Sequence, residues 1–139
     1  MTQRHNVHTK EIGLVRIYVT QGEKKRKPGL RGWFGGRPLS HEIIHAAKHD
    51  GVPHAVAHYS HYGYTRAGRV EGEMSDTPNP KLNMYVELIG PREKLEDFCR
   101  KHGDMLKGKH IVYKHMEHWE ISHEEVVHTE ATPNELKKD

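Results

Sequence analysis

The stretch "KLNMYVELIGPREKLEDFCRKHGDML", Lys81 to Leu106, decides the fold. In its first part Leu82, Met84, Val86 and Leu88 alternate with Asn83, Tyr85 and Glu87. Successive strand side chains point to opposite faces, so this pattern predicts a strand with one apolar and one polar face. Pro91 follows, with a backbone angle suited to a first helical turn. Leu95, Phe98 and Cys99 then fall on one side of a 3.6-residue period. The period changes at "GP" with no linker. A strand therefore feeds directly into a helix that runs through "PREKLEDFCRKHGDML", and the two apolar faces must pack on each other as layers.

Working outward, "GLVRIYVT" (Gly13–Thr20) alternates Val15, Ile17 and Val19 with Arg16, Tyr18 and Thr20, which is a second strand signal. "RPLSHEIIHAAKHDG" reads as a helix, with Pro38 near its start and Gly51 just past its end. Leu39, Ile43, Ala46 and Ala47 share one face, and His41, His45 and His49 the opposite one. "VPHAVAHYSHYGY" and "KGKHIVYKHMEHWEI" are strand-like. "TRAGRVEGEMSDTPNP" is an aperiodic loop of about sixteen residues, a length that compact domains keep for function or leave disordered. The order of elements is βαββαβ. That is an α+β, ferredoxin-like arrangement: one antiparallel sheet with two helices on one face. Residues 1–12 are expected to be a disordered N-terminus, 13–121 the domain, and 122–139 a polar C-terminal tail.

With 139 residues the chain has the size of one domain. Only 34% of residues are hydrophobic, and the mean hydropathy is -0.90, so the core is thin or shared with another chain. A sheet with one face buried inside the subunit and the other against a partner fits that composition. The net charge is +3 with 14 histidines neutral, and it climbs as pH falls through the ordinary histidine range. Cys99 is the single cysteine, which excludes an intrachain disulfide and a cysteine-based zinc site and points to a reducing compartment. The N-terminal "MTQRHNVHTKEIG" has no apolar segment of the secretory kind, and no run reaches the roughly 20 apolar residues of a membrane helix. The expectation is a cytoplasmic protein.

Histidine is the most conspicuous residue type. His41, His45 and His49 form an i, i+4, i+8 ladder of the kind that can share a metal. A solvated helix face is the better account of such a ladder, because no Asp, Glu or Cys stands in a fixed position beside it. In the second strand His54 and His58 have one parity and His61 the other, so the three do not point at one ion. The chain contains no GxSxG, HExxH or GxxxxGK[ST] motif and no carboxylate pair placed for acid–base work, so an enzyme is not expected. Cys99 lies on an apolar helix face, as a small buried hydrophobe does.

Glycine and cations recur at the ends of strands. "QGEKKRKPGLRGWFGGR" holds five glycines and six basic residues around Trp33 and Phe34. "GYTRAGR" offers Gly63, Thr65, Arg66 and Arg69 after the second strand, and "HGDMLKGKHIVY" offers Gly103, Gly108 and Lys109 before the last one. Backbone N–H groups in glycine turns, with a cation beside them, suit a phosphate.

These pieces resemble the PII-like signalling proteins, in particular the branch catalogued as domain of unknown function 190. The resemblance runs from about Val15 to Ile121 and is carried by "VRIYVTQGE", "GRPLSHEIIHAAKHDGVPHAV", "HYGYTRAGR", "LNMYVELIGPREKLEDF" and the turn "GDMLKGKHIVY". It implies a homotrimer of ferredoxin-like subunits that binds a small effector, typically an adenine nucleotide (ATP, ADP, AMP or cyclic AMP), between neighbouring subunits. It also implies a long loop, here residues 66–80, that responds to the ligand and engages a transporter or an enzyme. By position the loop base is Gly63, Tyr64, Thr65 and Arg66, and the phosphate-side turn is Gly103 to Lys109. Thr65 stands where this branch usually has glycine, and a Cβ there restricts close backbone approach. The insertion "KKRKPGLRGWFGG" is longer than the branch's usual turn.

The leading expectation is thus a non-catalytic, trimeric regulator whose anionic effector is held by Arg66 and Lys109. The alternative is a divalent-metal-binding trimer of the cation-tolerance type, supported by the histidine count. An RNA-binding module of the same fold needs aromatics on the open sheet face, for which Tyr18, Tyr85 and Tyr113 are the candidates. Nucleic acid is not an expected partner of the leading reading.

Overall fold

The computed structural model describes residues 4–24, 36–66, 68–73 and 78–123. The basic segment around Trp33 and Phe34 and the tail beyond residue 123 lie outside the described residues. By its contacts the chain divides into a main unit, Ile12–Met116, and a small unit that joins the residues up to Glu11 with those from Glu117 onward.

The main unit is built on the alternation that opens the reading. Strand β5 (Asn83–Gly90) buries Met84, Val86 and Leu88 and leaves Asn83, Tyr85 and Glu87 half-exposed. It pairs antiparallel with β1 (Val7–Thr20) on one side and with β2 (His54–Tyr59) on the other. The register sets Ile17 opposite Val86, Val15 opposite Leu88 and Val19 opposite Met84, so the apolar parities of the two strands form one surface. The last strand, β6 (His110–Ile121), completes the order β2-β5-β1-β6.

Two helices cover that apolar surface. Helix α1 (Leu39–His49) turns Leu39, Ile43 and Ala47 inward and leaves His41, His45 and His49 exposed, as its period predicts. It stops at Gly51, whose φ of 79° is a backbone state that a side chain would strain. Helix α2 (Arg92–Lys101) adds Leu95 and Phe98. The expected continuous helix to Leu106 is not formed. His102 leaves the helical conformation at φ -105° and ψ 28°, and a separate turn, α3 (Gly103–Leu106), brings Leu106 into the core. Glycine's helix penalty and the burial of Leu106 together favour the break.

Two further expectations are corrected. Strand β1 begins at Val7, ahead of the expected Gly13, in a polar segment that carries no apolar alternation. The segment after Tyr59 is not one long strand followed by an aperiodic loop. Tyr62–Gly63 (β3) pairs antiparallel with Glu71–Gly72 (β4), so the end of the expected strand pairs with part of the expected loop. Glu73 N–H donates to the His61 carbonyl at 2.9 Å and extends that pairing.

The helix-free face carries a row of rings, one from each main strand. His58 stacks on Tyr85 (4.9 Å between ring centres), Tyr85 meets Tyr18 (5.7 Å), and Tyr18 meets His110 (5.2 Å). Arg16 lies over the Tyr85 ring at 4.3 Å and donates to Glu87 at 2.6 Å, while His58 Nε2 approaches the other Glu87 oxygen at 3.2 Å. The Glu87 hydrogen bond raises the Arg16 pKa. Tyr113, grouped with Tyr18 and Tyr85 in the sequence, lies elsewhere. Its ring fills the space beside Gly13 and meets the Arg92 guanidinium, 4.9 Å from the ring centre.

In the small unit the ends of β1 and β6 are tied by two hydrogen bonds. Asn6 N–H donates to Ser122 Oγ (2.9 Å), and Ser122 N–H to the Asn6 carbonyl (2.8 Å).

Candidate functional site

The turn before β6 is where the candidate residues meet. Lys107 N–H donates to the Gly103 carbonyl (2.8 Å) and Lys109 N–H to the Leu106 carbonyl (3.0 Å), which tightens the chain around Gly108. Gly108 has a φ of 78°, a conformation that glycine alone adopts without steric cost. Arg66 reaches this turn from the base of the large loop, and its Nη1 donates to the Gly108 carbonyl at 3.0 Å. Among the described residues Arg66 is the non-glycine residue with a positive φ, 55°. A residue held in that region signals a surrounding structure that over-determines it.

The loop base is organised by Asn83, a residue the sequence reading passed over. In the amide orientation that satisfies both groups, its side-chain oxygen accepts the N–H of Tyr64 (3.0 Å) and of Thr65 (3.2 Å). The Asn83 carbonyl also accepts from the Ser60 hydroxyl at 2.5 Å. Asn83 occupies the polar parity at the start of β5, so its side chain points away from the core and toward the strand end where the loop begins. Thr65, placed where glycine is usual in the resembled branch, is half-buried, with its hydroxyl 3.3 Å from the Asn83 amide.

A cavity of about 660 Å³ opens beside this turn, lined by Glu23, Lys24, Leu39, Asp104, Met105, Lys107, Gly108 and Lys109. Three lysines and two carboxylates face it. Lys109, expected as a cation for the effector, forms an ion pair with Glu23 across the cavity wall. Burial lowers the Lys109 pKa, because the charged ammonium loses hydration there. Glu23 is the second residue the sequence reading missed. It hides at the edge of a basic run, and its partner is far along the chain.

The structure thus brings Arg66, Gly108 and Lys109 together, and holds Tyr64 and Thr65 on Asn83. Gly103 is exposed at the start of α3, and Gly63 lies in β3; neither lines the cavity. Tyr64 and Tyr62 are largely exposed. Among the described residues no three of His, Cys, Asp and Glu gather as a metal-binding set. His61 is engaged by Glu73 at 2.8 Å. The Cys99 thiol is pushed up by burial, the behaviour of a packing residue rather than a nucleophile.

Two solved structures described as CPII share the fold. The chain is similar to CPII bound to ADP and bicarbonate from Thiomonas intermedia K12, at 11% identity over 81% of this chain and 91% of that one, with a TM-score of 0.52. It is likewise similar to apo CPII of the same organism, a nitrogen regulatory PII-like protein, at 7% identity over 83% and 99%, with a TM-score of 0.52. No curated protein matches the sequence. The family profile described as "DUF190: Uncharacterized ACR, COG1993" matches residues 12–118. The chain belongs to the DUF190 family. No helix among the described residues is long and apolar enough to cross a membrane.

Proposed function

We propose that this chain is a non-catalytic, cytoplasmic regulator of the PII-like kind. Its effector is a small anion, an adenine nucleotide, bound at the cavity beside Gly108 in a cleft completed by a neighbouring subunit of a homotrimer. The segment 66–80 carries the signal to a membrane transporter or an enzyme. The single observation that carries this reading is the bond from Arg66 to the Gly108 carbonyl. It ties the base of the large loop to the wall of a lysine-lined cavity, so an occupant that draws Arg66 toward its own negative charge changes the loop's anchorage. A ligand shifts a two-state loop only by its differential affinity for the two states, and a guanidinium that exchanges a carbonyl for a phosphate supplies such a difference.

The supporting chemistry is that of anion binding. Lys24, Lys107 and Lys109 face the cavity, and the turn around Gly108 presents backbone. The solved CPII structure that holds ADP and bicarbonate shows that a protein of this fold accommodates such ligands. Calorimetry with ATP, ADP, AMP and cyclic AMP tests the reading. Heat saturating at one site per subunit for at least one of them is expected, and no heat from any at millimolar concentration removes the nucleotide.

A further inference from the structure

The cavity already contains an anion, supplied by the chain itself. Glu23 follows the end of β1, and both of its carboxylate oxygens are engaged. Oε2 accepts the Thr20 N–H at 3.2 Å, and Oε1 takes the Lys109 ammonium. A backbone N–H together with a lysine is the donor set of an oxyanion site. Lys24 and Lys107 line the same cavity. The backbone of Glu23 is fixed independently of that carboxylate, since its carbonyl accepts the Leu39 N–H at 2.7 Å where α1 begins. The side chain can therefore leave the donors without unseating the helix.

We propose that Glu23 is a built-in surrogate anion that holds Lys109 and the Thr20 N–H until an effector's phosphate or carboxylate displaces it, and so sets the affinity and charge threshold of the site. This rests on the effector reading above. An incoming oxyanion takes over the two donors, and the Glu23 carboxylate swings out to water, which its partial burial permits. A singly charged anion exchanges like for like and gains little. A polyphosphate keeps Lys109 and adds Lys24 and Lys107, so the surrogate selects for multiply charged ligands. The partial burial that lowers the Lys109 pKa agrees with a cation that needs a partner at all times.

The test uses the full chain with Glu23→Gln, which keeps the acceptor for Thr20 and removes the charge, and with Asp104→Asn, which removes a charge from the same cavity wall without touching the pair. ADP and AMP are titrated by calorimetry, and acetylation of Lys109 by acetic anhydride is followed by peptide mass spectrometry without ligand. Loss of a competing unit charge is expected to tighten ADP binding by roughly five- to tenfold in Glu23→Gln, with a smaller gain in Asp104→Asn and a smaller ADP-over-AMP preference. Lys109 acetylation is expected to rise several-fold in Glu23→Gln alone. The proposal is overturned if wild type binds ADP and Glu23→Gln binds it no better, if Asp104→Asn gains as much, or if Lys109 labelling is unchanged. Binding of ADP by neither protein, with Lys109 labelling raised, means that the effector reading has failed and that Glu23 is only a structural partner of Lys109. Glu23→Ala, which also gives up the Thr20 bond, is a second check: it is expected to bind ADP more tightly than wild type although its melting temperature falls, and the absence of that gain also overturns the proposal.

Discussion

Asp50 shows most directly what one residue contributes here. It closes α1, and its carboxylate is reached by Lys101 Nζ (2.8 Å), His102 Nε2 (2.6 Å) and His49 Nδ1 (3.2 Å). These hydrogen bonds, Lys101 first, hold its carboxyl well below the usual carboxylate range. A carboxyl with a depressed folded pKa stabilises the fold above its unfolded pKa, near 3.9, and loses that contribution as pH falls toward the folded value. Asp50→Asn is therefore expected to melt below wild type at neutral pH, with the gap closing below about pH 4. A gap that stays constant down to pH 2 in thermal melts contradicts the linkage. Phe98 is the core counterpart, 2% exposed, with the His102 ring 4.6 Å away. Phe98→Ala is expected to cost about 3–5 kcal/mol in urea unfolding. The apolar period makes Phe98 legible in the sequence. The Asp50 contacts are not, because they join the ends of two helices that no local pattern relates.

At the scale of elements, the turn after β1 is locked against the segment that leads into β5. Gly22 N–H donates to the Pro80 carbonyl at 2.8 Å, and a Cβ on Gly22 would stand 2.4 Å from Pro80 Cβ. A pyrrolidine ring cannot rotate away, so the backbone must shift. Gly22→Ala is expected to destabilise by roughly 1–3 kcal/mol, while Gly36→Ala, with open space around it, stays within about 0.5 kcal/mol. Equal melting temperatures for the two variants refute the close-approach argument. The break between α2 and α3 was partly legible. Arg100 and Lys101 followed by Gly103 is a helix-stop signal, but Met105 and Leu106 continue the apolar period and mask it. The β3–β4 pairing was not legible. Two-residue strands carry no periodicity, and their pairing rests on backbone hydrogen bonds that any side chain allows.

For the whole molecule, the distribution of burial argues for association. The helix-covered face of the sheet is closed, whereas on the opposite face the rings of His58, Tyr85 and Tyr18 are half-buried and that of His110 is exposed, beside the Arg16–Glu87–His58 ion pairs. Ile111, Val112 and Tyr113 of β6 remain more than a third exposed. A homotrimer predicts a light-scattering mass of about three times 16.1 kDa. Charge reversal by Arg16→Glu, which sets two carboxylates side by side on the open face, is expected to lower that mass, whereas a monomer mass for wild type excludes the assembly. Sequence periodicity determined the main strands and helices and which parities face the core, because these depend on residues a few positions apart. Tertiary structure alone decided that Lys109 is held by Glu23, that Arg66 grips Gly108 and that Asn83 anchors the loop base. Each of these joins segments far apart in sequence through polar contacts of a few ångströms. Such contacts exist only once the sheet register and the turns have set the distances.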